Sequence, residues 1–147
     1  MNLILEKTDQ IKYFTNMNEV FSALNIRCKD YDWYVSDIET NGVPIRAGWH
    51  TGSELEPTIQ NNDIQFIWAA FSAFSAGKRV EVNDAPYIYD NPEYWNGSNV
   101  GPQINEALFE IGCWDSSATI LVGITPEMGS NFKSVYSDTT ELENAAR

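Results

Sequence analysis

Asp30, Asp32, Asp37 and Glu39 fall within ten residues of chain, and carboxylates in that number can hold a cation or move a proton. On an extended strand Asp37 and Glu39 point to one sheet face about 6.5 to 7 Å apart. Such a pair could share a divalent ion or divide acid and base roles in a hydrolase. Trp33 and Val35 belong to the same face, so a carboxyl that no donor reaches would be partly desolvated and its pKa raised. The alternative is a solvated strand end, or carboxylates paired with Arg27, Arg46 or Arg79.

His50 is the only imidazole, which excludes a metal site with two histidines and makes any Ser-His-Asp or Cys-His-Asn scheme depend on this residue. It stands in Gly48-Trp49-His50-Thr51-Gly52, which reads as a loop without a neighbouring nucleophile motif. Cys28 and Cys113 have neither CxxC nor metal-ligand spacing and read as reduced, buried side chains. The chain has no GxGxxG after a strand, no GxxxxGK[ST] and no complete EF-hand loop, so the sequence implies no cofactor and no metal.

A second set of residues suits recognition rather than catalysis. Trp49, Tyr87, Tyr89, Tyr94 and Trp95 fall in loops or at strand edges, where large rigid side chains with a polar handle can form a binding platform. The alternative is that they fill the core beneath a long loop. Trp33, Trp68 and Trp114 lie in periodic segments and are expected in the core.

These residues need elements to position them. Asn16 to Leu24 has an apolar stripe of Met17, Val20, Phe21 and Leu24 behind a capping Asn16, which predicts a helix. Asp32 to Thr40 alternates as a strand and ends at the turn signal Asn41-Gly42, after which Val43 to Trp49 is expected to pair back, with Pro44 favouring an edge. Asn62 to Ala76 gives the clearest helical spacing, with Ile64, Ile67, Trp68, Phe71 and Phe74 on one face and Gly77 as the stop.

Further along, Lys78 to Val82 and Tyr87 to Tyr89 read as strands, and Asp90 to Pro102 as a loop rich in turn dipeptides. Leu108 to Trp114 and Ala118 to Ile124 form a central hairpin about Asp115-Ser116-Ser117. Thr125-Pro126-Glu127 opens a helix that Gly129 and Ser130 should shorten or interrupt, and a polar tail runs from about Ser137 to Arg147. The expected fold is α+β: one domain over residues 1–147, with an antiparallel or mixed sheet of four to six strands and two or three helices.

With 21 acidic against nine basic residues, the chain has a formal charge of −12 and an isoelectric point near 4.2. That balance argues against nucleic acid and anionic membranes as partners and favours a basic protein or a cation. Hydrophobic residues make up 43% of the chain and aromatics 13%, enough to exclude disorder. No stretch has the length of a signal h-region or a membrane span, which places the chain in the cytoplasm as an expectation.

At DWYVSDIE (Asp32 to Glu39) and FEIGCWDSSATILVGI (Phe109 to Ile124) the chain resembles small uncharacterised bacterial proteins, and in size and acidity it resembles immunity proteins of bacterial toxin systems. The resemblance implies a non-enzymatic inhibitor whose acidic surface occupies the basic site of a toxin, and it carries no site residue onto this chain. Asp37, Glu39, Asp90, Tyr94 and Trp95 are the expected binding residues, with charge steering the encounter and aromatics holding it. A small-molecule or carbohydrate-binding domain is the second reading, and a hydrolase using Asp37 and Glu39 the third. A homodimer through an aromatic edge is a further option.

Overall fold

A computed structural model describes residues 1–147. Its centre is a seven-stranded sheet, antiparallel at every pairing. The strands are β1 (Leu3–Glu6), β2 (Tyr31–Thr40), β3 (Gly48–Thr51), β4 (Phe66–Ser75), β5 (Phe109–Trp114), β6 (Ala118–Val122) and β7 (Thr140–Glu141), in the spatial order β3-β2-β4-β5-β6-β1-β7. Three helices, α1 (Met17–Leu24), α2 (Gly52–Asn61) and α3 (Pro126–Val135), complete an α+β fold, with more strands than the expected four to six. No helix is long and apolar enough to cross a membrane.

The two faces of the sheet are covered differently. Leu3, Leu5, Trp33, Val35, Phe71, Ile111 and Leu121 point to the helices, and their core also takes in Phe21, Leu24, Leu55, Ile59 and Phe132. On the opposite face Ile4, Ala70, Ile120 and Val122 pack against Ile88, Tyr94 and Leu142, which come from irregular chain. Residues 76–108 contribute no strand or α-helix and form a loop layer over this second face, with a single 3-10 turn at Pro92–Trp95.

The central hairpin β5-β6 and the capped helix α1 follow from local sequence, and Asn16 Oδ1 accepts from Asn18 N at 3.0 Å as a helix cap should. Thr125 caps α3 in the same way, accepting from Met128 N at 3.1 Å. That helix runs on through Gly129 and Ser130 without interruption, and the missing side chain at Gly129 leaves room for the Met1 side chain. The segment after Ser137 is built into the fold: β7 pairs with β1, and Leu142 is buried.

The expected helix at Asn62 to Ala76 is instead β4, an interior strand of the sheet between β2 and β5. A strand buried on both faces loses the polar half of its alternation, and an unbroken apolar run can then match helical spacing by chance. Ala69, Phe71 and Ala73 meet the helices while Trp68 and Ala70 meet the loop layer. The helix of this region lies earlier, at α2, where Thr51 is the cap and only Gly52, Leu55 and Ile59 are buried. Val43 to Trp49 supplies less strand than expected, since β3 begins only at Gly48 and pairs with Asp32 to Val35.

Lys78 to Val82 and Tyr87 to Tyr89 are not strands. Tyr87, Ile88 and Tyr89 do alternate between exposed and buried, yet side chains take the hydrogen bonds that a neighbouring strand would have taken. Gln103 Oε1 accepts from Tyr87 N at 3.1 Å, and Asp37 Oδ2 accepts from Ile88 N and Tyr89 N at 2.7 and 2.9 Å.

Candidate functional surface

A bulge in β2 sets the position of the first two candidate residues. Ser36 pairs with Ala70 and Glu39 with Trp68, so Asp37 and Ile38 together oppose Ala69. Asp37 adopts a left-handed backbone conformation, with φ of 53°, which aspartate tolerates better than most residues. The extra residue reverses the alternation. Asp37 and Glu39 therefore face the loop layer and not, as expected, the side of Trp33 and Val35.

The two carboxylates have different work there. Asp37 receives the backbone bonds from Ile88 and Tyr89 and so anchors the loop layer to the sheet. Glu39 is exposed beside Trp68, with no cation in contact. Asp32, from the same acidic group, is buried and paired with Arg79 Nε at 2.9 Å, which matches the ion-pair alternative.

Tyr94 and Trp95 lie on the 3-10 turn, which Asn91 caps by accepting from Glu93 N at 3.0 Å. Tyr94 is buried, and its hydroxyl donates to Glu110 Oε1 while accepting from Gln103 Nε2 at 2.7 Å. Gln103 N also donates to Glu110 Oε2 at 2.8 Å. Burial pushes the Glu110 carboxyl above its ordinary value, and burial together with the nearby Glu110 charge pushes up the Tyr94 hydroxyl. Sequence reasoning passed over Glu110, although a lone carboxylate inside the apolar run Phe109–Trp114 was a legible signal.

Beside this network a pocket of about 310 Å³ opens between Asn91, Glu93, Tyr94, Asn99 and Gln103. Asp90, with φ of 58°, is exposed and does not line the pocket. Tyr94 thus serves as the wall of a polar pocket rather than as an exposed contact.

An aromatic row does form, with members other than the five expected. Tyr89, Trp68, Trp114 and Trp95 form a continuous row, with centroids 5.2, 5.0 and 4.8 Å apart in turn and planes at 85°, 70° and 78°. Trp68 and Trp114, expected in the core, are only half-buried, because at this end of the sheet the loop layer covers them only in part, through Tyr89 and Trp95. Trp33 is wholly buried as expected. Trp49 belongs to a separate cluster at the β3 edge, with Tyr34, Phe74 and the Arg79 guanidinium.

The remaining reactive groups are tied into the structure. His50 lies in β3, not in a loop, and its Nε2 is 2.6 Å from the Arg46 carbonyl oxygen. Both cysteines are buried and free, and burial raises the Cys28 thiol to about 12, where it is no nucleophile at neutral pH. No group of three or more His, Cys, Asp or Glu side chains is placed to hold a metal ion.

Charge separates the loop layer from the rest of the surface. Between Arg79 and Lys133 the sequence contains no lysine or arginine, while Glu81, Asp84, Asp90, Glu93 and Glu106 are all exposed in the layer and in no ion pair. This basic-free stretch is readable without coordinates; only the fold shows that its part before β5 belongs to the layer over one face of the sheet. Comparison with protein-family models, curated proteins and solved structures returns no match to the chain.

Proposed function

We propose that the chain is a non-enzymatic cytoplasmic binding protein that engages a basic protein partner, as an immunity-type inhibitor engages a toxin. The observation that carries this reading is the loop layer: five exposed carboxylates in no ion pair, against three basic side chains in or on it, of which Arg79 and Arg147 are tied up with Asp32 and Glu6 and only Lys78 is in no ion pair. Such a surface attracts a complementary partner and speeds the encounter, while aromatic contacts at its edge supply affinity. The anchoring roles of Asp37 and Glu110 also favour binding over hydrolysis, since neither carboxylate is free to meet a substrate.

The test is capture of the partner from the native host followed by charge reversal. Glu81→Lys, Asp84→Lys and Glu93→Lys together should abolish capture of a basic protein, and raised salt should release it from the parent chain. Reversal on the helix face, at Glu19, Glu54 and Glu127, should leave capture intact. Binding that ignores both salt and the loop-layer substitutions would overturn the proposal.

A further inference from the structure

We infer that the aromatic row is the part of this surface that reads arginine side chains, an inference that rests on the proposed basic partner and names how it is gripped. The chain already holds one arginine in this way. The Arg147 guanidinium lies 4.2 Å over the Trp95 ring, and its Nη2 and Nη1 donate to Glu6 Oε1 and Oε2 at 2.6 and 3.3 Å. Arg147 N also donates to the Trp95 carbonyl at 2.9 Å, which fixes the backbone beside the ring. An aromatic face joined to a two-point carboxylate contact is the combination a planar guanidinium satisfies and a lysine ammonium does not.

The cross-strand register places the same combination at the other end of the row. Trp114 pairs with Ala118 and Ala118 with Glu6, so one carboxylate stands on the strand row of one tryptophan. Glu39 stands directly opposite Trp68, with Tyr89 against that ring at 5.2 Å. Glu6 is occupied by Arg147, whereas Glu39 has no cation in contact. Tyr89 is 64% exposed and Asp90 follows it, so this second position is open to an incoming chain and lies within the acidic layer.

The rings meet edge to face, and Tyr89 is the exposed member of the row, the ring that an incoming planar cation can reach. The occupant is an arginine-bearing segment of a basic protein, chosen over an uncharged ligand by the charge around the row and over a lysine-rich one by its geometry.

Titration with an alternating arginine–glycine decapeptide and its lysine–glycine counterpart at matched charge and salt tests this, read by tryptophan fluorescence and by indole N–H resonances. The arginine peptide should bind about five- to tenfold more tightly than the lysine peptide and shift the Trp68 indole. Tyr89→Ala and Glu39→Gln, both at exposed positions, should each erase most of that preference, weakening the arginine peptide more than the lysine peptide. Equal binding of the two peptides, insensitive to Tyr89→Ala, would overturn the arginine site and leave the acidic-surface reading standing. Failure of both peptides to bind, while the native partner is still captured in a salt-dependent manner, would also overturn it without touching that reading.

Discussion

Glu110 shows how one residue connects the sheet to the layer above it. It is fully buried on β5, receives the Tyr94 hydroxyl and Gln103 N, and is held by burial above its ordinary value of 4.5. The folded chain therefore retains this proton at a pH where the unfolded chain has released it. Its contribution is complete below the unfolded value and is lost as pH rises through the folded one. Glu110→Gln removes that titration, so the stability of the variant relative to the parent should increase between about pH 4 and pH 7. Urea midpoints at the two ends measure it, and a difference that stays constant would contradict the assignment.

At the scale of elements, α2 is placed by a close approach that only glycine permits. It begins at Gly52, and a Cβ there would run into the Cys28 and Tyr31 carbonyl oxygens and come within 2.7 Å of Lys29 Cα. These are backbone atoms of the 3-10 turn Cys28–Asp30 and the start of β2, and they cannot swing aside as a side chain could. Gly52→Ala should cost at least about 3 kcal/mol, above the usual range for overpacking, and should be visible as a fall in the denaturation midpoint. A variant of parental stability would show that α2 can shift along the sheet edge.

The same scale explains what could be read in advance. The caps of α1 and α3 and the β5-β6 hairpin depend on neighbours within a few residues, so Asn16, Thr125 and the Asp115-Ser116 turn were sufficient signals. β4 depends on partners from β2 and β5, and its burial on both sides erased the alternation that distinguishes a strand.

For the whole molecule, the dominant electrostatic fact is repulsion among like charges. A formal charge of −12 is relieved by only four ion pairs, all with an exposed basic partner. Added salt weakens those pairs slightly but screens the net repulsion more, so stability should rise with ionic strength. Raising monovalent salt from about 10 to about 150 mM should raise the melting temperature by a few degrees. A fall would mean that the ion pairs outweigh the repulsion.

Composition and local pattern determined the α+β class, the acidity, the two capped helices, the central hairpin and the supply of aromatic side chains, because each of these rests on residue type or on contacts close in sequence. Tertiary structure alone decided which face each candidate occupies. One extra residue in β2 turned Asp37 and Glu39 across the sheet, and loop coverage buried Tyr94 while leaving Trp68 and Trp114 half-open. The alternation of side chains along a strand is counted from its pairing partners, and those partners lie tens of residues away.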